Sequence, residues 1–130
     1  MKTEIHFTSD AIVIPPSSMA SREIGACVEF QGIVRETENG ATLTGLHYEA
    51  YRSMAETILR RHLDALAAKY GCASVHFIHR LGWVPVGEPS LFIRVESAHR
   101  GEALQLLAEA IDLLKTDVPV WKVVRADARP

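Results

Sequence analysis

Cysteine is scarce: the chain holds two, Cys27 and Cys72, far apart and outside any CxxC or Cys/His grouping with metal-ligand spacing. Both read as small buried hydrophobes. The six histidines are scattered, and neither HExxH nor a carboxylate array occurs, so no metal site and no cofactor is expected. Basic residues are not in excess. Fourteen Lys and Arg against sixteen Asp and Glu give a net charge of -2 and a pI near 6.3, which argues against a general nucleic-acid binder. No apolar run approaches the length of a membrane span, and MKTEIHFTSD at the start lacks the apolar core of a signal peptide, so the cytoplasm is the expected compartment. GxGxxG and GxxxxGKS phosphate loops, internal repeats and low-complexity tracts are all missing. What is present, 130 residues with 48% hydrophobic and 23% charged side chains, reads as one globular domain over residues 1–130.

Alternation places the strands. Thr3 to Phe7 alternates, and Pro15 to Ser18 then leads into a short helix or turn before Gly25. From Ala26 to Val34 one face carries Ala26, Val28, Phe30 and Val34, while Gly32 marks a bulge just before Arg35. Asn39 and Gly40 mark a turn, and Thr42 to Tyr51 returns, so the two runs are expected to form a hairpin with a loop longer than two residues. Ser53 and Glu56 make a capping-box pattern for a helix whose stripe is Ala55, Ile58, Leu59, His62, Leu66 and Tyr70, ending at Gly71. His62 reads as a packed core histidine. A second hairpin pairs Ser74–Leu81 with Ser90–Ser97 across the turn GWVPVGEP. Hairpins interleaved with helices predict an α+β fold rather than a doubly wound parallel sheet.

Residues Ser97 to Lys122 carry the charge pattern that points to chemistry. Ala103, Leu104, Leu107, Ile111 and Leu114 fall on one helical stripe, with Ser97 as the N-cap. The first turn then holds His99 and Arg100, where the helix dipole prefers acidic groups. Either the two bind a phosphate or carboxylate with the free backbone N–H groups, or Arg100 is solvated and His99 packs locally. Lys115 closes the helix, which alone is an ordinary capping role. Val118 to Val124 reads as a strand with Lys122 inside an apolar run. If buried there its pKa would fall, which suits proton transfer or attack on a carbonyl; if it points to solvent it does neither.

Taken together, GACVEFQGIVR (25–35), LHYEAYRSMAE (46–56), HRLGWVPVGE (79–88), SAHR (97–100) and IDLLKTDVPVWK (111–122) resemble the large, catalytic subunit of molybdopterin synthase. The resemblance implies an α/β hammerhead-like domain. It implies transfer of sulfur from the C-terminal Gly-Gly thiocarboxylate of a small ubiquitin-fold carrier to cyclic pyranopterin monophosphate, forming the dithiolene of molybdopterin. It further implies a homodimer within a heterotetramer. By the same resemblance Lys115 and Lys122 are catalytic, and Val34, Arg35, His99 and Arg100 join them in binding substrate. The chain departs from the pattern at Val124, where an acidic residue is usual, and Pro130 ends it earlier than in many relatives. A non-catalytic carrier-binding scaffold and an anion-binding regulatory domain are the alternatives.

One constraint is geometric. His99 and Lys115 are sixteen positions apart, roughly 24 Å along a straight helix, too far for both to reach one small pterin. A site shared across the dimer is therefore expected, with the lysines from one chain and His99 and Arg100 from the other.

Overall fold

The computed structural model describes residues 2–17 and 21–123, so the readings for Ser18 and Val124 fall outside it. In chain order the elements are β1 (Lys2–Thr8), β2 (Ala26–Ile33), β3 (Thr37–Glu38), β4 (Ala41–Thr42), β5 (Gly45–Ala50) and α1 (Arg52–Tyr70). There follow β6 (Ser74–Arg80), β7 (Gly82–Pro85), β8 (Pro89–Ser97), α2 (Arg100–Thr116) and β9 (Val120–Val123). Of the short helix or turn expected before Gly25, the described residues show the turn, at Arg22 and Glu23, and no helix over residues 11–17.

Four strands make the main sheet in the order β1-β6-β8-β2, with β1 parallel to β6 and the other pairs antiparallel. Alternation decides the faces. Ile5 and Phe7 of β1, Val75 and Phe77 of β6, and Leu91, Ile93 and Val95 of β8 point to one side, where α1 and α2 close over them. Burying a large side chain such as Phe77, Leu59 or Leu106 contributes roughly 1.5–3 kcal/mol each, so this layer holds the fold. The opposite face is not left bare. Phe92 and Arg94 of β8 are buried there, and residues 15–17 cross it: Arg94 donates to the Pro15 carbonyl at 2.6 Å, and Ser17 donates to Glu96 at 2.7 Å.

A second, three-stranded sheet has the order β7-β5-β9 and its own small core of Val34, Leu43, Leu46 and Val84. This is where the expected first hairpin fails. β2 pairs with β8, whereas β5 pairs with β7 and β9. Asn39 (φ 51°) and Gly40 (φ 80°) form a two-residue turn closing the β3–β4 ribbon, which lies in the chain between β2 of the first sheet and β5 of the second. The bulge expected at Gly32 is present, between Gly32 and Ile33. The second hairpin, β6 with β8, also forms, although its turn contains a strand of its own, β7.

The helices depart from expectation at their starts. Tyr51 is the N-cap of α1 with no side-chain hydrogen bond, so Ser53 and Glu56 do not form a box there. His62 is half-buried, with its Nε2 hydrogen-bonded to Asp117 at 2.5 Å, and is not a core residue. The N-cap of α2 is His99 instead of Ser97, which ends β8 fully buried. Leu104 is exposed, and Leu106 and Ala110 are buried alongside Ala103, Leu107 and Leu114. Neither helix is long and apolar enough to cross a membrane.

Candidate active site

Lys115 and Lys122 come together. Lys115 lies in the last turn of α2, and the chain then turns at Asp117–Pro119 so that β9 runs back beside β5, with Lys122 opposite Tyr48. Both lysines line one cleft of about 550 Å³. Its floor is apolar, built by Phe30, Leu91, Ile111 and Leu114, and Gly32 keeps the bulged end of β2 free of a side chain. An apolar floor with ammonium groups at its edge suits a flat ring that bears negative charge.

Of the two readings of Lys122, buried in its apolar run or pointing to solvent, the structure shows the second. Its side chain is 43% exposed and its ammonium is paired with the Glu38 carboxylate, which is only 13% exposed. β9 is a short edge strand of the second sheet, and its two middle residues, Trp121 and Lys122, are exposed while Val120 and Val123 at its ends are half-buried. The hydrogen bond from Lys122, with a further contribution from Arg35, holds the Glu38 carboxyl below the usual carboxylate range. Glu38 has no marker in sequence. It lies in a turn-rich stretch, and only the folding of the β3–β4 ribbon carries it to β9.

His79 is the second group that charge placement does not flag. It is buried on the cleft floor beside Tyr48, ring centroids 5.2 Å apart. Burial lowers its pKa to about 4, only partly opposed by the hydrogen bond to the Arg80 carbonyl. A carbonyl only accepts, so Nδ1 carries the proton in that 2.8 Å bond and Nε2 is left as the acceptor of a neutral ring.

The remaining expected residues lie elsewhere in the chain. Val34 is buried in the second core, its N–H donating to the Glu88 carbonyl and its carbonyl accepting from Gly87. It therefore supports the backbone that presents exposed Arg35, near Glu38. His99 and Arg100 line a separate shallow depression with Gly25, Ala98 and Gly101 at the far end of α2. Part of the charge at that helix start is already offset: Glu102 accepts from the His99 N–H at 2.8 Å and from Ser97 at 2.8 Å, completing a capping box. Among the described residues no carboxylate pairs with Arg35, Arg100 or Lys115.

The fold and the cleft together define an α+β protein with an apolar-floored, cation-edged pocket. The chain belongs to the MoaE protein family, whose model matches residues 7–117. It is 38% identical over 123 residues to the molybdopterin synthase catalytic subunit of Homo sapiens, covering 93% of this chain and 65% of the human protein. It is 40% identical over 100 residues to the subunit of the same name from Thermoplasma volcanium, covering 77% of this chain and 73% of that one. The crystal structure of molybdopterin synthase from Staphylococcus aureus superposes with a TM-score of 0.80 at 30% identity, covering 94% of this chain and 91% of that one. The chain thus spans just under two thirds of the length of its human relative.

Proposed function

We propose that the chain catalyses the sulfur transfer of molybdopterin synthase: two carrier thiocarboxylates in turn each give up one sulfur to cyclic pyranopterin monophosphate, each carrier leaving as its carboxylate, and the two sulfurs form the dithiolene. Family membership supports the reading, and the observation that carries it is the convergence of Lys115 and Lys122 on one apolar-floored cleft. Both the thiocarboxylate and the cyclic phosphate are anions. Lys115 holds the charge of the incoming sulfur donor beside the ring, and Lys122 neutralises charge or moves a proton as the ring opens. The carrier is a small ubiquitin-fold protein whose Gly-Gly tail enters the cleft, and the reaction takes place in the cytoplasm.

His99 and Arg100 enter from a second copy of the chain. Their depression is separated from Lys115 by the length of α2, so within one chain they do not reach the same small substrate. A homodimer that sets the start of one α2 against the cleft of the other completes the cationic lining, with a carrier at each end of a heterotetramer.

The test is dithiolene formation on mixing the purified chain, a thiocarboxylated carrier and cyclic pyranopterin monophosphate, with Lys115→Ala as the control. Product from the native chain and none from the variant is the expected result. Stable carrier binding without product would replace the proposal with a scaffold.

A further inference from the structure

Histidines scattered in the sequence are gathered by the main sheet on the face away from the helices. β1 and β6 run parallel with Glu4 directly opposite His76, and His6 follows Glu4 by two positions on the edge strand. Ile5 and Phe7 are taken by the core, so Glu4 and His6 share the outer face with His76. One donor atom from each of the three lies within 4.8 Å of the others.

We propose that Glu4, His6 and His76 form a binding site for a divalent transition-metal ion of the zinc class. Two residues at i and i+2 on one strand and a third on its neighbour converge on a point above the sheet, as three-ligand coordination requires. Bonds of about 2.0–2.1 Å in a tetrahedral site put donor atoms roughly 3.3 Å apart. Nε2 of His76 is already 3.4 Å from Oε2 of Glu4. The imidazole rings of His6 and His76 stand 5.4 Å apart and tilted at 55°, so small side-chain rotations bring their nitrogens to one ion. Phe92 packs edge-on against His76 at 6.3 Å and limits how far that ring turns. Two imidazoles and one carboxylate are the donor set that borderline ions favour over calcium or magnesium.

Two cations oppose the ion. Lys2 donates to Oε1 of Glu4 at 2.9 Å, leaving Oε2 as the oxygen that faces His76, and Arg94 lies in the adjoining depression of about 210 Å³ beside Glu96. The fourth coordination position opens toward solvent and that depression. Because β1 is an edge strand, an ion bound here ties it to β6, away from the lysine cleft on the other side of the sheet.

The experiment titrates the full-length chain, stripped of metal with a chelator, with zinc chloride by calorimetry and follows thermal unfolding in parallel. One equivalent bound and a midpoint raised by roughly 5–10 °C at a hundredfold excess over Kd are expected. His6→Ala, at an exposed position that leaves the core intact, should weaken binding at least tenfold. Lys2→Ala removes the competing ammonium and should tighten it. No uptake, or uptake that His6→Ala leaves unchanged, overturns the site and reduces it to an adventitious ion only. Binding that Glu4→Gln leaves unchanged removes Glu4 from the ligand set and overturns the assignment as drawn.

Discussion

The Glu38 carboxylate reaches the Lys122 ammonium from a ribbon 84 positions earlier in the chain. Two functions fit such a pair, and they predict opposite signs. If Glu38 positions Lys122 over the cleft, Glu38→Gln lowers kcat by about tenfold or less, since a partly exposed pair contributes on the order of 1 kcal/mol, and Glu38→Asp restores part of it. If Glu38 instead masks Lys122 until substrate displaces it, Glu38→Gln lowers KM and leaves kcat intact. The depth of the carboxylate favours positioning, and the expected outcome is the loss in kcat. Steady-state dithiolene formation by the two variants decides, and a wild-type kcat in Glu38→Gln would exclude the positioning role.

Which residues face the core was legible in β1, β6 and the core-facing positions of β2, because alternation is a local consequence of strand geometry. Partner choice was not. Ala26–Val34 and Thr42–Tyr51 look like a hairpin because they are successive strands around an Asn-Gly turn, yet that turn closes only the two-residue strands of the ribbon. Lys122 stands out in sequence as a cation inside an apolar run, whereas Lys115 alone reads as an ordinary helix-capping lysine, and their shared cleft follows from the turn at Asp117–Pro119. Glu38 and the Glu4–His6–His76 cluster were invisible, since each depends on a pairing between distant segments. At the start of α2 the capping signal was misassigned: Ser97 has the right chemistry, but burial at the end of β8 leaves His99 as N-cap.

If the site is shared between two copies, activity lost in one chain is recoverable from another. Mixing Lys115→Ala with Arg100→Ala chains should yield hybrid dimers in which one of two sites is intact. With random exchange half of the dimers are hybrids, so roughly a quarter of the native activity is expected from a mixture of two inactive parents. Subunit exchange is checked by mass spectrometry. Exchange without recovered activity would show that the second copy does not supply Arg100 to the cleft, and would overturn the shared site.

Burial of neutral His79 makes stability depend on pH. Its folded pKa of about 4 lies below the ordinary imidazole value of 6.5, so the unfolded chain binds the proton more readily. The contribution is therefore fully present above pH 6.5 and is lost as pH falls toward 4. The whole span corresponds to about 3 kcal/mol, an upper bound for one ring. Urea unfolding of the native chain and of His79→Phe at pH 7.5 and 4.5 should show the native chain losing more stability on acidification. Parallel losses would mean that the ring is hydrated in the folded state.

Glycine at position 45 is required by space. A Cβ there would lie 2.6 Å from both the Trp83 ring and the Val84 carbonyl oxygen, and the latter is backbone that cannot rotate away. Gly45→Ala should therefore cost about 1–3 kcal/mol through forced separation of β5 and β7, and because β5 also carries Tyr48 opposite Lys122, the cleft should suffer with it. Gly101 supplies the contrast. It sits in the first turn of α2 with nothing within 4 Å of an added Cβ, so Gly101→Ala should stabilise the chain by about 0.5–1 kcal/mol through helix propensity. Urea midpoints of the two variants against the native chain measure both, with unchanged m-values identifying a change in stability rather than in the compactness of either state. Equal effects of the two substitutions would show that β5 and β7 separate easily enough to admit a methyl group.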